Sequence, residues 1–184
     1  MSATFTDWRA TLVSSHDDLF SETIRDAVYT PGFPEVGDGW RELLVTALER
    51  IACAVAGLSS GSLKITQVKS KYATLRLCWR AGAGLPDAVC SRVNAIIELA
   101  EARSACTCEF CGIEGRLFDR GGWLSTACDA HSKGKPVAVR PGWENLHVTR
   151  KIVGGKVQIV ACVRYVRSTD CFVDVPPLSL GIKE

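Results

Sequence analysis

Four residues in the middle of the chain have the types and the spacing to hold a metal ion. They are Cys108 and Cys111, in Cys108-Glu109-Phe110-Cys111-Gly112, and Cys128 and His131, in Cys128-Asp129-Ala130-His131. Two thiolates spaced C-x-x-C can bind one tetrahedral ion, and Gly112 permits the left-handed turn beneath them. Residues three apart on a helical turn share a face, so a short helix is expected to present Cys128 and His131 together. Three thiolates and one imidazole point to a single structural Zn2+, with no open position for water or substrate. Cys106 could replace Cys108, but the C-x-x-C geometry favours Cys108 with Cys111 and leaves Cys106 a spare. Between the pairs, Gly115 to Asp119 and Trp123 to Ala127 flank Gly121-Gly122, a two-residue hairpin turn. Knuckle, hairpin and short helix make the layout of a treble clef or related zinc ribbon. Phe110 and Trp123 are expected to pack over the ion, as aromatic residues beside small zinc sites commonly do.

The elements that position this module are legible on both sides of it. Asp7 to Val28 reads as two short helices, the first with Trp8 and Leu12 on one face, the second marked by Leu19, Phe20, Ile24, Ala27 and Val28. Asp38 is the expected N-cap of the strongest helix, along which Trp40, Leu44, Ala47, Leu48, Ile51 and Val55 recur at helical spacing until Gly57. Leu63 and Ile65, then Ala73, Leu75, Leu77 and Trp79, alternate with polar residues and predict paired strands turning near Ser70-Lys71. Pro86 opens a further helix with Val89, Val93, Ile96, Ile97 and Ala100 inward. After the cysteines, Asn145 to Val153 and Lys156 to Arg167 flank Gly154-Gly155, and Cys171 to Val175 ends at Pro176-Pro177, which together predict a β-meander. The fold class is α+β: residues 1–104 as a helical and β-hairpin region, 105–135 as the zinc module, and 136–184 as the meander, packed as one compact unit.

Charge is uneven along the chain. Residues 1–50 hold nine acids against four arginines, residues 61–80 hold five bases and no acid, and residues 132–167 hold eight bases against Glu144 alone. Lys64, Lys69, Lys71 and Arg76 in the first basic block, and Arg150, Lys151, Arg164 and Arg167 in the second, are candidate contacts for an anionic partner. Tyr72, Trp79, Trp143 and Tyr165 lie among these bases. Such interleaving suits nucleic acid, although a pI near 8.1 is modest for that role.

The remaining motifs narrow the function by exclusion. The sequence contains no H-x-E with P-C-x-x-C, no H-E-x-x-H and no P-loop, so a non-enzymatic protein is expected. His16 and His147 have no partner at ligand spacing. Of the 184 residues 47% are hydrophobic and 23% charged, as in ordinary globular chains. Nine cysteines, an odd number, and the absence of a signal-like N-terminus favour a cytoplasmic protein with no disulfide framework. Cys53, Cys78, Cys90, Cys162 and Cys171, each among apolar neighbours, are expected to be small buried hydrophobes. The longest apolar stretch, Leu43 to Leu58, is broken by Glu49-Arg50 and is too short to span a bilayer.

A set of motifs in fixed order carries a resemblance. Gly37-Asp38-Gly39-Trp40, Gln67-Val68-Lys69-Ser70-Lys71-Tyr72, Leu75-Arg76 and Ala100-Glu101 through Ser104 lead into the cysteine knuckle. Gly122-Trp123, Thr126, Cys128 and His131 follow. From Gly37 to His131 the chain resembles a group of uncharacterised bacterial and phage proteins with a C-terminal zinc module. The resemblance implies an origin on a mobile element and, with it, an inhibitor or accessory factor that binds a host or defence protein complex. Small metal-stapled domains commonly serve as interaction platforms, so another protein is the expected partner and nucleic acid the alternative.

Overall fold

The computed structural model describes residues 7–59 and 61–182. Its first helix, α1 (Trp8–Ser15), starts where the Asp7 side chain accepts the Arg9 backbone N–H at 3.1 Å. The short α2 (Asp17–Phe20) buries Leu19 and Phe20. The second helix expected up to Val28 stops there. Glu22–Ile24 (β1) and Ala27–Tyr29 (β2) instead form a hairpin around Arg25-Asp26, both at positive φ. Ile24, Val28 and Tyr29 are exposed, so no core rewards a helical stripe, and their branched or aromatic side chains favour extended backbone.

Pro34–Glu35 (β3) leads into a 3-10 turn, Asp38–Trp40, and then α3 (Arg41–Val55). Asp38 does not cap this helix with its side chain. Its carboxylate instead accepts Trp8 Nε1 and an Arg9 guanidinium nitrogen, each at 2.8 Å, and those bonds hold its pKa below the usual value. The residue thus joins α1 to the start of α3. Leu43, Leu44, Ala47, Leu48 and Ile51 line the buried face of α3, and Gly57, at φ +81°, lies just beyond its end.

Strands β4 (Leu63–Lys71) and β5 (Thr74–Ala81) pair antiparallel, and β3 adds to β4 in parallel. The connecting turn is Tyr72-Ala73, both residues at positive φ, two positions later than the expected Ser70-Lys71. This register directs Leu63, Ile65, Val68, Leu75 and Leu77 onto one buried face. Helix α4 (Asp87–Ser104) covers that sheet beside α3, inserting Val93 and Ala100, with Val89, Ile96 and Ile97 packed against the same core. At its C-terminal end the buried Ser104 hydroxyl accepts the Leu75 N–H at 2.8 Å.

Beyond the cysteine segment, β6 (Arg116–Arg120) pairs with β7 (Trp123–Ala127) on one side and β8 (Lys135–Pro136) on the other. The C-terminal meander is β9 (Leu146–Val153), β10 (Lys156–Val166) and β11 (Cys171–Asp174), in the order β11-β10-β9. Its Tyr165 packs with Ala102 and Cys106 at the end of α4. The Tyr165 hydroxyl donates to Asp170 at 2.8 Å, and Asp170 also pairs with Arg50 of α3 at 2.8 Å and Arg103 of α4 at 3.5 Å. One carboxylate therefore ties the meander to both main helices. The molecule is an α+β protein of small sheets around two packed helices. No helix among the described residues is long and apolar enough to cross a membrane.

Candidate metal centre

The knuckle is built by backbone bonds. Gly112 N–H donates to Cys108 O at 2.9 Å, Cys108 N–H to Ile113 O at 2.8 Å, and Gly112 adopts φ +80°. These contacts turn the Cys108 and Cys111 side chains toward the same point. The second pair follows β7 directly, and Glu109 N–H donates to Thr126 O at 3.1 Å, which brings the end of that strand to the knuckle.

The four ligand atoms, Sγ of Cys108, Cys111 and Cys128 and one ring nitrogen of His131, all lie within 4.8 Å of one another. Cys111 Sγ is 3.7 Å from Cys128 Sγ, and His131 Nδ1 is 3.2 Å from Cys128 Sγ and 3.7 Å from Cys108 Sγ. A tetrahedral ion with metal–sulfur bonds of about 2.3 Å would space its sulfurs about 3.8 Å apart. The cluster fits a metal site. Cys106 stands apart from it, its buried thiol directed at the Ala102 and Arg103 carbonyls of α4 and pushed up in pKa by that burial.

Protonation equilibria within the cluster are already biased. Burial opposes the Cys108 thiolate, but backbone N–H groups of Cys128, Cys111 and Phe110 together favour it and bring its pKa down to about 7. Cys111 is pushed the other way. The Ile113 N–H favours its thiolate, yet burial and the neighbouring Cys108 and Cys128 sulfurs outweigh that bond.

Two expectations for this segment are corrected. Cys128 to His131 is a turn closed by His131 N–H on Cys128 O at 3.1 Å, not a helix. Gly134, at φ +109°, redirects the chain so that β8 returns to β6, and the helical half of a treble clef is absent among the described residues. Trp123 does not cover the site either. It is 77% exposed at the far end of the β6–β7 hairpin, while Phe110 alone flanks the cluster, its ring 5.7 Å from that of His131 and its outer side in solvent.

The sequence motifs outside the cysteines prove to be the knuckle's seat. Gly39 N–H donates to Glu109 O at 2.8 Å, and a Cβ on Gly39 would lie 2.2 Å from Cys108 O and 2.6 Å from Cys111 N. A Cβ on Gly37 would meet Glu109 O at 2.2 Å. Both glycines are required by this close backbone approach. The buried Trp40 indole donates to Thr107 O at 2.9 Å, and the Thr126 hydroxyl to Ala73 O at 2.7 Å. The Glu109 carboxylate accepts Gly37 N–H at 3.2 Å and the Ser70 hydroxyl at 3.0 Å. Arg167 closes the other side with a bond to Gly112 O at 3.1 Å. Glu109 in this positioning role escaped sequence reasoning; the G-x-G spacing of Gly37 and Gly39 was the available sign of a close approach.

The candidate anion contacts divide by environment. Lys64 Nζ donates to Asp18 O at 2.7 Å and Ser21 O at 2.6 Å, fixing α2 against β4. Arg164 donates to Gly142 O at 2.6 Å and, like Arg167, is engaged by backbone. Lys71, Arg76, Arg150 and Lys151 are exposed, and Lys69 is half-buried as the cross-strand partner of Arg76. Of the five scattered cysteines only Cys162 is buried; Cys53 is exposed and Cys78, Cys90 and Cys171 are half-buried, each a free thiol. Comparison with family models, with curated proteins and with solved structures finds no match to this chain.

Proposed function

We propose that this chain is a zinc-stapled, non-enzymatic interaction protein that docks through its β9–β10 arm onto another protein. Three thiolates with one imidazole suit Zn2+, and a full coordination shell suits a staple. The observation that carries the docking role is the arm itself. Ile152 and Val157 are directly paired across the ladder and are 77% and 55% exposed, with Val153 exposed beside them. Arg150 shares the face of the Ile152–Val157 pair, and Val153, Lys151 and Lys156 lie on the opposite face of the same exposed ladder. An exposed apolar cross-strand pair flanked by cations fits a partner surface that is apolar at its centre and carboxylate-lined at its edge. The resemblance to phage and bacterial proteins suggests an inhibitor or accessory factor of a mobile element, and the unpaired cysteines suit the cytoplasm.

Affinity capture from bacterial lysate, with zinc maintained, tests the reading. The intact protein is expected to retain a specific partner, and the double variant Ile152→Asp with Val157→Asp to lose it while keeping its metal and fold. Equal capture by both proteins, or capture of none by the intact protein, overturns docking through the arm.

A further inference from the structure

Between the Tyr72-Ala73 turn, the knuckle and the Gly121-Gly122 turn lies an open groove of about 580 Å³. Three aromatic side chains line it: Tyr72, Phe110 and Trp123, which are 74%, 51% and 77% exposed. They come from three separate turns, and all three rings stand in water at one groove. Their exposure costs hydration free energy that packing could have avoided, which marks the groove as a place for a flat, apolar ligand face.

The polar groups of the groove select among such ligands. The Glu109 carboxylate oxygens accept Gly37 N–H and the Ser70 hydroxyl, which commits the side chain to the knuckle's seat. Lys71 places its ammonium 5.4 Å from the Tyr72 ring centre, and that charge opposes a methylated lysine or other cation in the cage. On the strand pair that ends in the Tyr72-Ala73 turn, Lys69 and Arg76 sit directly opposite one another near Lys71. A sugar would call for several free hydrogen-bonding groups around an aromatic platform, and the groove's acid and Ser70 are already committed. The complement of this site is a flat ring attached to an anion, repeated along an extended chain. We infer that the groove binds unpaired nucleotides of a single-stranded nucleic acid, stacking bases on Trp123, Tyr72 and Phe110 and meeting phosphate with Lys71. This site is separate from the β9–β10 arm and stands or falls without it.

The test uses the full-length, zinc-loaded chain and a fluorescently labelled oligothymidylate, read by anisotropy across a salt series. Affinity is expected to fall steeply with salt. Trp123→Ala and Tyr72→Ala, both at exposed positions, are each expected to weaken binding about tenfold with zinc content unchanged. Lys71→Gln is expected to lower the slope of log affinity against log salt by about 0.7. No binding at low salt overturns the inference. So does binding unaffected by the two aromatic variants, because it would then reside on the basic strands. Equal affinity for a duplex of the same length also overturns it, since paired bases cannot stack on these rings.

Discussion

Cys106 and Cys108 are two residues apart and both buried, yet they belong to different structures. Cys108 faces the cluster under backbone N–H groups that favour its thiolate, whereas Cys106 faces two helix carbonyls that favour the thiol. The difference predicts the outcome of substitution. Purified protein is expected to carry one zinc per chain by elemental analysis, and Cys108→Ser, Cys111→Ser or Cys128→Ser to lose most of it, since a hydroxyl is a poor ligand near neutral pH. Cys106→Ser is expected to retain the metal. An empty site in Cys106→Ser, with a full one in Cys108→Ser, would reverse the assignment.

At the scale of elements, the meander carries a half-buried histidine whose neutral form is favoured by its surroundings. His147 on β9 meets the Phe172 ring edge-on at 5.3 Å, and burial lowers its pKa below the ordinary 6.5. Glu98 and Glu101 on α4 pull weakly in the opposite direction. The unfolded chain therefore takes up a proton at higher pH than the folded one. The associated stability is present above pH 6.5 and is lost as pH falls through the lower folded-state value. Denaturant unfolding of the zinc-loaded protein should show stability declining on acidification below that point. His147→Gln should flatten the decline; protonation of the metal ligands is common to both proteins and cancels in the comparison. Identical slopes would remove His147 from the pH response.

At the scale of the whole molecule, the candidate metal centre is fastened to the main core from several directions without being part of it. The core of α3, α4 and β4–β5 is apolar and continuous, from Leu12 to Ala100. Cys108, Phe118, Ala127 and Cys128 form only a small separate cluster. A cluster that small has little core of its own, so the proposed zinc is expected to supply much of its folding free energy. Chelation followed by hydrogen exchange should release amides across 105–135 and also those of Gly37 and Gly39, whose acceptors are Glu109 atoms. The amides of α3 from Leu43 to Ile51 should stay protected, because their burial does not depend on the knuckle. Loss of protection along α3 would show that the ion supports the entire fold. Unchanged Gly37 and Gly39 would show that the knuckle docks without metal.

What could be read in the sequence was whatever depends on near neighbours along the chain. The paired metal ligands, the Gly121-Gly122 and Gly154-Gly155 turns, the amphipathic faces of α3 and α4 and the three-stranded meander all follow from spacings of a few residues. What depended on distant partners could not be read. Residues 22–29 carry a passable helical stripe, but only the fold decides that no core meets it, and they form a hairpin. Cys128 and His131 share the spacing of a helical turn, yet the return of β8 to β6 makes their segment a plain turn. Lys64, Arg164 and Arg167 look like their exposed neighbours in composition, and only the fold supplies the backbone carbonyls that engage them. The bond from Gly39 to Glu109 and that from Thr126 to Ala73 bridge 70 and 53 positions. The local sequence sets which groups can bond and which faces are apolar; which face meets which is a property of the closed chain, where burial and backbone hydrogen bonding must be satisfied together.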